Sequence, residues 1–206
     1  TTCMIRWSNI KTSGENELGK KIEITKFYYS ESRNDLYILA KNNNSIPINY
    51  TFYLNYLDSS DTRLDRKIGT GYVEPGRTFV VKINNSTQDD FSSVSVTTSA
   101  SAYKSYNYSI DVDKKVTFQE SSNGISASYK NDTDRDVSIY MSIIYYKNNE
   151  IVFFDSAYLF AKPGLTETGS FYFFNFPDYD YNKTSSDYYD RFEISIDAGF
   201  SYDTEY

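Results

Sequence analysis

Ile48-Asn49-Tyr50-Thr51-Phe52-Tyr53-Leu54-Asn55-Tyr56 alternates an apolar or aromatic residue with a mostly polar one. That period of two is the pattern of a strand with one face turned to a core. The same alternation returns at Val137, Ile139, Met141, Ile143 and Tyr145. The turn that follows returns as well, as Tyr72-Val73-Glu74-Pro75-Gly76 and then Phe160-Ala161-Lys162-Pro163-Gly164. The two offsets agree to within one residue, so the chain reads as two copies of one β unit.

Outward from the first stretch, short period-two runs occur at Ile22 and Ile24, at Leu36, Ile38 and Ala40, at Phe79, Val81 and Ile83, and at Val94 and Val96. Turn-rich pieces such as Lys41-Asn42-Asn43-Asn44-Ser45 and Asp58-Ser59-Ser60-Asp61 separate them. The second copy repeats the plan with Val116 and Phe118, then Ile125, Ala127 and Tyr129, a run through Ile151 to Phe160, Ser170 to Phe174, and Ile194 with Ile196. Short strands at this spacing predict an all-β chain of two tandem antiparallel β-sandwiches. Their bounds are 20–108 and 115–206, joined by a linker over 109–114, and residues 1–19 read as a leader or linker able to lay one short strand on the first module.

Several repeated positions are mechanical. Lys41-Asn42-Asn43 matches Lys130-Asn131-Asp132, where Asn and Asp bond local backbone at a strand exit. Pro75-Gly76 and Pro163-Gly164 suit a turn in which Pro fixes φ and Gly accepts a positive one. Asn148-Asn149 reads as the tip of a hairpin.

Composition narrows the function classes. The 22 Tyr and 14 Phe favour pleated, half-buried surfaces and must fill much of two small cores. A formal net charge of −7 argues against nucleic acid as partner, because phosphate-backbone binding needs clustered Lys and Arg. The single Cys3 excludes an intrachain disulfide, and the absence of His removes His-based zinc sites and His-based acid-base catalysis. Cys3 reads as a free or packed thiol, and Trp7 as a packing residue. No run approaches the about 18 apolar residues of a membrane-spanning helix. No cofactor and no catalytic residue is expected, and the chain reads as a non-enzyme.

The extended Phe52-Tyr53-Leu54-Asn55-Tyr56-Leu57-Asp58, preceded by Lys41-Asn42-Asn43 and followed by Glu74-Pro75-Gly76, resembles the FxLYD-type immunoglobulin-like domains of bacterial envelope proteins. The second copy departs from that pattern, with Tyr145-Tyr146-Lys147 in place of the Tyr-Asp pair. The resemblance implies tandem immunoglobulin-like modules outside the cytoplasm, in the cell envelope or secreted, and it supplies no catalytic residues.

The copies differ most between the Pro-Gly turn and the last strand, which the first crosses from Gly76 to Val94 and the second over the longer stretch from Gly164 to Ile194. The extra length is an aromatic and acidic insertion near 172–190. Three readings compete for it. In one, Tyr172, Phe174 and Phe176 pack while the acidic tip stays solvated or touches the other module. In another, Tyr179, Tyr181, Tyr188 and Tyr189, with Asp178 and Asp180 beside them, contact a surface glycan or a protein. In the third, Asp178, Asp180 and Asn182 imitate the start of a calcium loop, although Lys183 and Tyr189 stand where that loop wants Gly and Glu. The leading functional expectation is non-catalytic scaffolding, spacing or protein–protein adhesion, with glycan or peptide binding through the insertion as the alternative. On the first, the 172–190 insertion is removable without loss of the fold; on the second, Tyr179→Ala or Tyr188→Ala abolishes binding at a stability cost of no more than about 1 kcal/mol.

Overall fold

The computed structural model describes residues 10–30, 33–84, 90–104 and 107–203, whose regular structure is nearly all β and forms several largely antiparallel sheets. Cys3 and Trp7 lie outside the described residues. The chain divides into two compact units, the first made of Thr1–Gly76 and Val81–Ala102, the second of Arg77–Val80 and Tyr103–Tyr206.

The first unit holds β1 (Lys11–Gly14), β2 (Ile22–Ser30), β3 (Asp35–Asn42), β4 (Ile48–Leu57), β5 (Arg63–Val73), the greater part of β6 (Thr78–Asn84) and β7 (Ser93–Ala102). They form a four-stranded sheet ordered β1-β7-β4-β5 and a three-stranded sheet ordered β2-β3-β6. The alternation that marked β4 places Ile48, Tyr50, Phe52, Leu54 and Tyr56 in the core, and Tyr50 meets Phe52 edge-on at 5.4 Å. Each such side chain contributes about 1.5–3 kcal/mol of burial. Within the segment expected to be a leader, β1 pairs in parallel with β7. A short helix, α1 (Glu17–Lys20), follows it. Its N-cap Asn16 accepts the Gly19 N–H at 2.8 Å and donates to the Ala100 carbonyl at 2.8 Å, so cap and helix are tied to β7.

The second unit holds β8 (Asn107–Ser109), β9 (Val116–Ser121), β10 (Gly124–Lys130), β11 (Asp136–Lys147), β12 (Glu150–Ala161), β13 (Thr166–Tyr172) and β14 (Arg191–Tyr202). The sheets are ordered β8-β14-β11-β12 and β9-β10-β13, the same orders as in the first unit with β8 in the place of β1. The difference is in direction, since β8 runs antiparallel to β14. Asn148 and Asn149 both take positive φ, 52° and 63°, at the tip between β11 and β12, the conformation a tight two-residue hairpin requires.

One hydrogen-bonded latch recurs in both units. Asn42, fully buried at the end of β3, accepts the Gly76 N–H on its backbone carbonyl at 2.8 Å, and its side chain donates to the Val73 and Glu74 carbonyls. Asn131, just past β10 and equally buried, accepts the Gly164 N–H at 2.8 Å and donates to the Ala161 carbonyl at 2.8 Å. Gly76 and Gly164 hold φ of 72° and 75°, which favours glycine over any residue with a Cβ. The Asn and Pro-Gly motifs, separate in sequence, are thus two halves of one device that ties a strand exit to the turn after β5 or β12.

Candidate functional site

The 172–190 segment belongs to the second unit and is partly its core. After β13 the chain makes one 3-10 turn, Phe173–Asn175, then a loop, then helix α2 (Ser185–Tyr188), before entering β14. Phe173, Asn175, Phe176, Tyr188 and Tyr189 are all buried. Phe176 is the hub, with ring centroids 4.6 Å from Tyr145, 4.8 Å from Phe153 and 4.9 Å from Tyr188. Removal of the whole segment would strip these rings from Tyr145 and Phe153, which corrects the expectation that it is dispensable for the fold.

Polar groups under the rings are held by the same segment. Asn175 donates to the buried Asp155 carboxylate at 2.8 Å, and the Tyr189 hydroxyl donates to Glu120 at 2.6 Å. The Tyr145 hydroxyl is buried with no hydrogen-bond partner. Burial first, and then the negative groups Asp155, Tyr189 and Glu120, push its ionisation far above the usual tyrosine value.

The six expected contact residues separate into two groups. Tyr181 is 84% exposed and Tyr179 47% exposed, with Asp178 exposed and Asp180 half-buried beside them. Tyr188 and Tyr189 are at most 6% exposed and present no ring to a ligand. Their adjacency explains it: Tyr188 ends α2 and Tyr189 is its extended C-cap, so the change of backbone at the helix exit lets both neighbours turn inward.

Tyr188 acts as a clamp on the exposed loop. Its hydroxyl accepts the Asp180 N–H at 2.8 Å and donates to the Asp180 carbonyl at 2.9 Å, while the Tyr179 ring lies nearly parallel to it at 6.3 Å. Lys183 donates to the Asp178 carboxylate at 3.1 Å and sits 5.5 Å from the Tyr188 ring centroid. Asp180 accepts the Asn182 N–H at 2.9 Å. The Asp187 carboxylate accepts the Thr184 N–H at 2.7 Å at the start of α2, and that bond holds its carboxyl below the usual range. The carboxylate that would open a calcium loop therefore faces an ammonium group. Among the described residues no group of three or more acidic, Cys or His side chains is placed to hold a metal ion.

Two further exposed aromatics were expected to pack. Tyr172 is 46% and Phe174 40% exposed, and their rings stack on each other at 4.9 Å and 20°. In Phe171-Tyr172-Phe173-Phe174 the alternation puts 171 and 173 on one face and 172 and 174 on the other, and the core takes the first pair. Four aromatic residues at every position hide which face is which; only the hydroxyl of Tyr172 hints at solvent.

Among the described residues no helix is long and apolar enough to cross a membrane. No family model matches the chain, and no curated protein does. Among solved structures it is similar to the YadV chaperone, at 8% identity and a TM-score of 0.26, over 88% of this chain and 99% of that one. A likeness that slight carries no argument about fold or role.

Proposed function

We propose that the chain is a non-catalytic extracytoplasmic protein of a bacterial cell envelope. In this reading it is built of two tandem immunoglobulin-like β-sandwich modules, spaces or scaffolds other components, and makes a protein–protein contact through the second module. The observation that carries it is the exposed aromatic set Tyr172, Phe174, Tyr179 and Tyr181 on a segment whose other half is buried in the core. Rings held this way offer large contact area at small entropic cost, the property that places Tyr at the centre of protein interfaces. The Tyr188 clamp and the Lys183 to Asp178 pair keep the loop in one shape before any partner arrives. The matched strand orders and the repeated Asn latch support duplication of one module.

A second reading, glycan binding at the same loop, draws on the parallel Tyr179 and Tyr188 rings and the carboxylates beside them. One experiment separates the two. A photo-crosslinking aromatic residue is placed at 181 in the cells that make the protein, with exposed position 117 as control. Protein adducts from 181 and none from 117 are expected; adducts from neither position would remove the adhesive reading. Saccharide-dependent stabilisation in a panel run with and without calcium, lost in Tyr181→Ala, would move the assignment to glycan.

A further inference from the structure

Strand β14 bulges where it faces β11. Tyr140 pairs with Ala198 and Met141 with Ile196, which leaves Asp197 outside the ladder. A bulge re-aims the side chain of its extra residue, and this one is 2% exposed. One carboxylate oxygen accepts the Ser142 hydroxyl at 2.6 Å; the other is buried with no hydrogen-bond partner. Ser142, buried on β11, accepts the Val80 N–H on the same oxygen at 2.7 Å. Val80 closes the stretch Arg77–Val80, which belongs to the second unit although the chain on either side of it belongs to the first. A single hydroxyl therefore joins a buried carboxyl to the backbone of that stretch.

We propose that Asp197 is a proton-operated latch: as a neutral acid it holds Arg77–Val80 on the second unit through Ser142, and on ionisation it lets the stretch open. The physical reason is the orphan oxygen. A neutral carboxyl with one hydrogen bond tolerates this site, but a carboxylate needs several donors or a cation. β11 presents it only Ser142, and the charge that reaches it is Arg77, from the stretch itself. Arg77 is turned outward to Asp113 at 3.2 Å. A shift of Arg77–Val80 would bring Arg77 or water to the carboxylate.

Burial raises the carboxyl well above the usual carboxylate range, against the weaker pulls of Ser142 and Arg77. A raised value means that the folded, closed form keeps its proton where the open form loses it. The latch is thus fully closed below the ordinary carboxyl range and loosens as pH rises through the folded value.

The test is hydrogen exchange at the Val80 amide of the full chain from pH 4 to 9, converted to opening constants so that intrinsic exchange chemistry drops out. Wild-type opening is expected to rise at least about tenfold, the change that one unit of pKa difference produces. Asp197→Asn, neutral at every pH, is expected to stay flat, and Ser142→Ala to raise opening at all pH values. A wild-type profile without pH dependence, or the same rise in Asp197→Asn, would overturn the latch. Should Asp197→Asn fail to fold, carbon NMR of the wild-type Asp197 carboxyl must titrate with the same midpoint as the Val80 amide, and separate midpoints overturn it equally.

Discussion

The four-stranded sheet of the first unit turns a polar face away from its own core, and its counterpart in the second turns an aromatic one. In the first, Asn55 on β4 donates to Ser95 and Thr97 on β7 at 3.2 and 3.1 Å. It also accepts Arg66 Nε at 2.8 Å, and the Arg66 guanidinium lies 4.3 Å from the Tyr53 ring centroid. In the second, Tyr140 on β11 meets Tyr158 at 4.8 Å and Phe200 at 6.3 Å, and Phe200 meets Tyr103 at 5.7 Å. The inward rows of β4 and β11 stay alike because a one-residue slip would turn every core side chain to the outer face. Outward rows carry no such constraint, and there the two units have taken different chemistry. The same division runs through the loops: the second unit closes one end with several rings from 173–189, where the corresponding described segment of the first sets the single ring of Phe91 on Tyr56 at 5.1 Å.

The largest effect that would sharpen this contrast is at Phe176. Phe176→Ala removes the ring shared by Tyr145, Phe153 and Tyr188 and leaves a cavity, so a loss of about 3–5 kcal/mol is expected. It should appear in urea unfolding as early melting of the second unit alone, followed by near-ultraviolet signals. A loss below about 1 kcal/mol would mean that the segment only decorates a unit already closed without it.

The latches offer the converse comparison, a place where the units should behave alike. Asn42→Ala and Asn131→Ala each remove a side-chain donor from a buried carbonyl, that of Val73 or of Ala161, at an expected cost of about 1–3 kcal/mol apiece. Equal shifts of the two units' urea midpoints would show one device used twice; a silent Asn42→Ala would break the equivalence.

Strand content and the repeated turns were legible in the sequence because alternation and Pro-Gly chemistry are local. Val137, Ile139, Met141, Ile143 and Tyr145 announced a buried row, and they are one. The tie between Asn42 and Gly76 was not legible, since a hydrogen bond across strands leaves no periodic trace. Nor was Asp197: its burial follows from a bulge, which a single extra residue creates without altering the apolar pattern around Ile194 and Ile196. In the insertion the aromatic content marked the region correctly as different, but where almost every residue is aromatic, hydrophobicity no longer tells inside from outside. Tyr188 and Tyr181 share a residue type and a neighbourhood, yet one is 4% exposed and the other 84%.

That pair also gives the smallest predicted effect. Tyr181 projects from the clamped loop, so Tyr181→Ala is expected to change stability by no more than about 0.5 kcal/mol, as for surface positions without special partners. Tyr188→Phe, which keeps the ring and deletes the two bonds to the Asp180 backbone, should cost more than Tyr181→Ala while sparing the core packing. Thermal melts of both variants decide the order. The reverse order would place the Tyr181 ring against the fold, and the exposed half of the insertion would then be part of the same closure that Phe176 makes.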